Sequence, residues 1–549
     1  MHLFENYLKE HFDESGKLES ISYNIPENFN FSYDVVDKLA EDPEKIALVW
    51  CDDNGGEKHI TFAEIKRESE KIASFLSTLG LKKGDKAMLI LKRHYEFWYV
   101  IIALHRLGVV AIPATNQLLA KDIVYRANTA EIGCLICTPD DGVSDHVDAA
   151  VKDCNVMPKL ILVREKREGW LSLEEGAENA PAFVRPTGES AASADDMMLL
   201  YFTSGTSGMP KMVAHNFAYP IAHIATAKYW HKVDPRGLHL TVAETGWAKA
   251  VWGKIYGQWI MEAGIFVYDM ARFQTNELLS KIAKYHVTTF CAPPTIYRFL
   301  IQEDLTKYDL SSLQHATIAG ESLNPEVYER FKRMTGLKLY EGYGQTETVL
   351  TVFNPYWVEP RPGSMGIPSL TYDMRIVDET GNVVPNGVEG EIVMSLAGGH
   401  PVGLFMDYYK DKNLTDSAIH DGYYHTGDIA WKDEDGFFWY VGRNDDLIKS
   451  SGYRIGPFEV ESILIEHPAV LECAVTGVPD PVRGNLVKAT IVLTRNYSPS
   501  EELKNEIQNY VKGHTAPYKY PRVLEFVEEL PKTISGKIRR VEIRQKDNV

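Results

Sequence analysis

The chain has 549 residues, 44% of them hydrophobic and 24% charged, with a formal net charge of −18 at pH 7. That length exceeds what one hydrophobic core serves, so two or more domains are expected. No run approaches the roughly eighteen apolar residues of a membrane span, and the acidic balance argues against a nucleic-acid partner, which needs a basic face.

In chain order, the first twenty residues carry Glu5, Glu10, Asp13, Glu14 and Glu19 against only Lys9 and Lys17. This suits neither a secretory signal nor an Arg-rich transit peptide, so the cytoplasm is the expected location. From Lys45 to about Phe290, strand-like apolar runs alternate with amphipathic windows, as in Thr61 to Leu79 followed by Lys86 to Lys92. That alternation predicts α/β architecture with a largely parallel sheet. Thr61 with Glu64 three residues later predicts a capping box. Cys134-Leu135-Ile136-Cys137 lies in an apolar run and reads as a buried strand, since no second ligand pair follows at zinc-site spacing. Six cysteines are too few for a disulfide framework and fit a reducing compartment.

The run Met197 to Phe202 predicts a buried strand, and Thr203-Ser204-Gly205-Thr206-Ser207-Gly208-Met209-Pro210-Lys211 follows it. Glycines there let backbone N–H groups turn toward an anion, and the hydroxyls and Lys211 add charge-assisted hydrogen bonds, so the loop is suited to a polyphosphate. It is not a Walker A loop: that pattern needs a hydroxyl after the lysine, and Met212 stands there. An acidic protein that binds a nucleotide must supply local cations from Lys, Arg or a divalent metal.

A second alternation runs from Thr288 to about Tyr343, with strands at Val287 to Cys291 and Ala316 to Ala319. Gly320-Glu321-Ser322 follows one strand, and Glu341-Gly342-Tyr343-Gly344-Gln345-Thr346-Glu347 belongs to the next. Sites in open α/β sheets lie off the carboxyl ends of strands, so these loops and the Ser/Thr/Gly loop are expected to face one crevice. Glu347 offers a hard oxygen ligand for Mg²⁺, which typically takes one or two carboxylates plus substrate phosphates. After Arg361 the texture changes to Gly-punctuated short strands, Met374 to Val377 and Gly390 to Met394 among them, predicting a small β subdomain. Asp428 and Arg443 supply a carboxylate and a guanidinium suited to ribose hydroxyls. A domain boundary is expected at Arg443 to Asp446, followed by an α+β segment of about one hundred residues. Within that segment, Lys449 to Arg454 and Thr533 to Ile538 bring further glycines and cations.

Taken together, and in this order along nearly the whole chain, these strings resemble the adenylate-forming superfamily of acyl-CoA synthetases, peptide-synthetase adenylation domains and firefly luciferase. The strings Ser451-Gly452-Tyr453-Arg454-Ile455-Gly456-Pro457-Phe458-Glu459 and Thr515-Ala516-Pro517-Tyr518-Lys519-Tyr520-Pro521 resemble the medium-chain acyl-CoA synthetase branch. The resemblance implies a large N-terminal α/β domain with a small β subdomain over 1–443, a hinge at 444–446 centred on Asp445, and a mobile α+β domain over 447–549. It implies an AMP-forming acid–thiol ligase: a carboxylate attacks the α-phosphate of MgATP to give acyl-AMP, and coenzyme A then displaces AMP. Such chemistry rests on positioning and charge neutralisation.

Carried over residue by residue, Thr203 to Gly208 and Lys211 would hold the β- and γ-phosphates, and Gly320, Glu321, Ser322 and Glu341 to Gln345 would surround adenine. Thr346 would touch phosphate, Glu347 would bind Mg²⁺, and Asp428 and Arg443 would fix the ribose. Lys537 would reach the reacting carboxylate and α-phosphate, with Arg454 in the nucleotide set and also a candidate contact to CoA. Rotation of the small domain would then present Ser451, Gly452, Tyr453 and Arg483, with Gln117, to the pantetheine arm and CoA. The family also implies a lysine acetyltransferase and deacetylase acting on Lys537, since acetylation removes the ammonium charge.

The acyl pocket is expected around Trp230, Trp247, Lys249, Trp252, Cys291 and Gly344. Indoles at Trp247 and Trp252 favour a short branched or medium-chain acid, with benzoate-like acids as the competing reading. Lys249 either lines that pocket or snorkels outward. Glu244 stands where this branch often carries Asp. Carrier-protein loading, a luciferase-like oxygenase and a non-catalytic nucleotide sensor are the other readings. The CoA-type Ser-Gly-Tyr-Arg string disfavours the oxygenase, and the intact Lys537, Glu347 and phosphate loop disfavour the sensor.

Overall fold

The computed structural model describes residues 2–203, 209–321, 323–451, 453–532 and 538–547. Two large sheets carry the N-terminal part. In the first, the strands Leu171–Ser172, Lys159–Leu162, Cys134–Cys137, Lys86–Ile90, Val110–Pro113 and Met197–Thr203 run parallel, and Lys211–Asn216 closes one edge antiparallel to Met197–Thr203. Cys134–Cys137 is buried at all four positions, as a central strand covered on both faces must be. All six cysteines are free thiols.

The second sheet has a parallel centre of Ile46–Asp52, Gly264–Asp269, Leu238–Thr241, Thr289–Ala292, His315–Ile318 and Leu339–Gly344. Antiparallel strands flank it, Glu57–Thr61 on one side and Leu350–Phe353 with Ile367–Pro368 on the other. The alternation along the chain does not reveal that Ile46–Asp52 joins this sheet rather than the first. It does so by pairing with Gly264–Asp269, more than two hundred positions away in the chain.

The helix Phe62–Thr78 starts where expected, with Thr61 Oγ1 accepting from Glu64 N at 3.2 Å. Only half of the expected capping box forms. The Glu64 carboxylate instead accepts from Tyr99 OH at 2.6 Å, a tertiary partner that outcompetes the local one.

The β subdomain is antiparallel, with Met374–Val377, Gly390–Ser395, Tyr423–Lys432 and Phe438–Arg443 laid side by side. Beyond it, the strands Val470–Asp480, Gly484–Leu493 and Val523–Val527 pack with the helices Pro457–Glu466 and Glu501–His514 around a core of their own. The buried clusters of the N-terminal part reach no further than Phe438, and those of the C-terminal part begin at Ile448. The exposed pair Asn444 and Asp445 lies between these separate cores. Among the described residues, no helix is long and apolar enough to cross a membrane.

Candidate active site

Thr203 and Lys211 are register partners at the ends of the antiparallel pair Met197–Thr203 and Lys211–Asn216, so they bracket the expected phosphate loop. Ser204, Gly205, Thr206, Ser207 and Gly208, together with Ser322, Gly452 and Lys537, lie outside the described residues. Phe405 to Tyr409 runs alongside Lys211–Asn216, with Met406 N on Ala214 O at 2.7 Å and Tyr409 N on Met212 O at 2.8 Å. That pairing delivers Tyr408. Its hydroxyl donates to Glu347 Oε1 at 2.8 Å, and the Lys211 ammonium lies 5.1 Å from its ring centroid. One aromatic side chain therefore holds the expected metal-binding carboxylate and the expected phosphate-binding lysine together.

The backbone of this loop is fixed as firmly. Phe405 N donates to Glu347 O at 2.7 Å, and His215 Nε2 donates to Thr346 O at 2.7 Å. Burial holds His215 down to about 4, so its imidazole is neutral and serves as a fixed donor.

Asp428 is buried at the centre of a second cluster. Its Oδ2 accepts from Tyr343 OH and Gln345 Nε2, each at 2.6 Å, and its Oδ1 accepts from Tyr440 OH at 3.2 Å. Arg443 faces it across the paired strands, with Nη1 3.6 Å from Asp428 Oδ1 and donating to Thr426 O at 3.0 Å. Tyr424 OH completes the network on Gln345 Oε1 at 2.6 Å. Burial raises the Asp428 carboxyl, while Arg443 and these donors oppose the shift. Ligand hydroxyls reaching Asp428 must exchange with the Tyr and Gln donors, at little cost where one hydrogen bond replaces another.

Glu341 is buried too. Its Oε1 accepts from Leu323 N at 3.3 Å, whereas Oε2 has no partner among the described residues. Burial pushes its pKa well above 4.5. An orphaned buried carboxyl oxygen beside the Gly320–Glu321 turn fits an amino group such as the exocyclic amine of adenine. Gly320 takes φ +110°, which favours glycine, and Glu321 lies 3.8 Å from Arg298.

Trp230, His231, Thr241, Lys249, Trp252, Gly253 and Cys291 meet around a narrow, closely packed gap. Four of the six expected acyl-pocket residues thus come together. Gly344 adjoins them, because a Cβ there would lie 2.6 Å from Trp252 Cη2 and 2.4 Å from Val349 O. Trp247 is not among the residues around this gap; it is the N-cap of the helix Ala248–Gly253, in extended backbone. Lys249 does line the gap, and its ammonium donates to the Ala319 carbonyl at the edge of the adenine loop. Sequence reading missed His231 and Thr241, which sit among apolar neighbours without a motif. Glu244 pairs with the buried guanidinium of Arg93, which also donates to the Met270 carbonyl.

The expected CoA residues are elsewhere. Gln117 is exposed on a loop whose Ala114–Thr115 peptide touches Gly246, just before the acyl-pocket helix. Ser451, Tyr453 and Arg483 lie on the C-terminal part, with Ser451 N on Arg483 O at 2.8 Å and Tyr453 stacked on Tyr518 at 4.0 Å. Arg454 sits on the strand Tyr453–Ile455, 49% exposed, and meets Glu379 at 2.5 Å. Asp445 is exposed, 3.5 Å from Arg443 Nε.

Strand ends that flank residues 204–208, a held carboxylate at Glu347 and the Asp428–Arg443 pair are the parts a nucleotide-activating enzyme needs. The chain belongs to the AMP-binding enzyme family, whose model matches residues 35–409, and the AMP-binding enzyme C-terminal domain matches residues 459–537. It is 42% identical to the mitochondrial acyl-coenzyme A synthetase ACSM3 of Mus musculus, over 99% of this chain and 94% of that protein. It is also 42% identical to the mitochondrial ACSM5 of Homo sapiens, over 95% and 91%. Among solved structures it is similar to the anthranilate CoA ligase AuaEII in complex with anthranoyl-AMP, with TM-score 0.86, 27% identity, and coverage of 95% of this chain and 98% of that one. A benzoate CoA ligase from Burkholderia xenovorans matches with TM-score 0.82, 26% identity, and coverage of 94% and 100%.

Proposed function

We propose that this protein is an AMP-forming acyl-CoA synthetase: ATP, a carboxylic acid and CoA give acyl-CoA, AMP and diphosphate through an acyl-adenylate. The observation that carries the reading is Tyr408, which contacts both Glu347 and Lys211. Thr203 to Gly208 and Lys211 then grip the β- and γ-phosphates of the leaving diphosphate. Gly320, Glu321, Ser322 and Glu341 to Gln345 hold adenine, and Asp428 and Arg443 hold the ribose. Thr346 contacts phosphate, and Lys537 steadies the carboxylate and α-phosphate oxygens as the new bond forms. Ser451, Gly452, Tyr453, Arg454, Arg483 and Gln117 receive CoA after the domain over 447–549 turns on Asp445.

No group of three or more His, Cys, Asp or Glu side chains is gathered for a metal among the described residues. A single held carboxylate at Glu347 fits Mg²⁺, which binds through one or two carboxylates and the substrate phosphates. When bound, the ion neutralises phosphate charge.

The acid is short and branched, 2-methylbutyrate-like, or medium-chain, since the bulky indoles of Trp230 and Trp252 fill space beside Lys249 and Cys291. A flat aryl acid is the second reading, supported by the indole walls and by the likeness to anthranilate and benzoate ligases. Acetylation of Lys537 by a lysine acetyltransferase would silence the first half-reaction, and an unchanged adenylation rate in acetylated protein would overturn this. Six free thiols suit a reducing compartment, which the cytoplasm shares with the mitochondrial matrix; fractionation separates the two. The deciding experiment is ATP- and CoA-dependent thioester formation across C2 to C10, branched and aromatic acids. Absence of AMP release with every acid would sink the reading.

A further inference from the structure

The two family modules meet at a part-buried hydrogen bond. Asn324 lies in the first module and is 3% exposed. Its Oδ1 caps the helix Pro325–Thr335 by accepting from Glu326 N at 2.7 Å. Its Nδ2 crosses to the second module and donates to Ser462 O, in the helix Pro457–Glu466, at 2.9 Å. The residue before it, Leu323, donates its N–H to the Glu341 carboxylate. Adjacent residues of one turn thus grasp the adenine-side carboxyl and the C-terminal module.

That module is rigid where Asn324 holds it. Glu461, next to Ser462, takes Arg540 Nη2 at 2.8 Å on both carboxylate oxygens, and Lys532 takes Glu472 at 2.8 Å. Lys532 and Ile538 form a β-bridge. Anchoring Ser462 therefore anchors the frame from which Lys532 and Ile538 project. Against this, the ion pair of Arg454 with Glu379 joins side chains 49% and 82% exposed, which contributes little in water. With separate cores and few polar ties, the two modules are expected to move relative to each other unless a specific contact fixes them.

We propose that Asn324 is a positioning residue for the first half-reaction: its amide registers the C-terminal module against the adenine-side loop in the orientation that makes acyl-AMP. This rests on the reading of the protein as an acyl-CoA synthetase. Losing one such hydrogen bond shifts an orientation equilibrium about fivefold.

Two variants separate this from a structural role. Asn324→Ser keeps an oxygen to cap Glu326 N but loses the donor to Ser462, and Asn324→Asp keeps the cap while facing a carbonyl with a charge. The expected result is a fall of about fivefold in the kcat of acid-dependent pyrophosphate–ATP exchange for Asn324→Ser, and a larger fall for Asn324→Asp. The ATP KM, the melting midpoint and thioester formation from supplied acyl-AMP should each stay close to the parent. Equal loss in both half-reactions, or unchanged exchange, would overturn the proposal. Pulsed-EPR distances between labels at the exposed positions Met334 and Tyr497, one in each module, should broaden in both variants. If the parent exchanges pyrophosphate with no acid, the enzyme assignment falls, and the distance measurement still decides Asn324: distributions identical to the parent overturn its role.

Discussion

Tyr408 OH donates to Glu347 Oε1 at 2.8 Å while the Lys211 ammonium lies over the same ring. The tyrosine is a strut between the carboxylate expected to hold Mg²⁺ and the strand that ends in the phosphate loop. Tyr408→Phe keeps the ring and loses the donor. Half-saturation by Mg²⁺ in pyrophosphate release should rise several-fold, with kcat at saturating Mg²⁺ falling less, because the hydrogen bond orients Glu347 without touching substrate. A Mg²⁺ titration indistinguishable from the parent would remove Tyr408 from this role.

Trp252 closes the acyl pocket against Gly344. Trp252→Gly should move the preferred acid toward longer or bulkier chains, read as kcat/KM across the acid panel, since removing an indole leaves room that added methylenes fill at about 0.8 kcal/mol each. Identical chain-length profiles would take Trp252 out of the pocket. Gly344→Ala should do the reverse and also lower the melting midpoint, because its Cβ meets the Val349 carbonyl and Trp252 at once.

Glu341 gives stability an acid-side dependence. Burial raises its pKa above 4.5, so the folded state binds a proton that the unfolded chain has released once pH exceeds that value. Its contribution to stability is therefore greatest below pH 4.5 and declines as pH rises toward the folded pKa. The isosteric Glu341→Gln lacks that decline, so the melting midpoint of the variant should gain on the parent as pH rises from 4.5. A constant difference between the two would contradict a buried neutral carboxyl.

His94 acts in the same sense over a higher pH window. Burial disfavours its charge, yet Asp140 at 2.8 Å and Asp269 at 2.6 Å hold it, and its pKa rises from 6.5 to about 9. A histidine raised in the folded state contributes stability in full below pH 6.5 and loses it as pH climbs through 9. His94→Gln should be destabilised most below pH 6.5, with the gap to the parent narrowing up to about pH 9. Chemical denaturation across that range measures it.

Local patterning determined a good deal of this protein. The apolar run at Cys134 to Cys137 is a buried strand, Thr61 does start a helix, and Met197–Thr203 and Leu339–Gly344 are strands. Strand periodicity, caps and glycine-rich turns are short-range properties, so a linear sequence carries them in full. The resemblance to acyl-CoA synthetases reached the chain the same way, through strings of contiguous residues. What only the tertiary structure decided is where partners come from distant segments. Ile46–Asp52 crosses to the far sheet, Tyr408 and Tyr440 arrive beside Glu347 and Asp428, Trp230 and Cys291 meet Trp252, and Asn324 finds Ser462. Each depends on a hydroxyl, amide or ring meeting its partner within a few ångströms after the chain has folded back. Hydrogen-bond direction and close packing of that kind have no period along the sequence, so no local reading contains them.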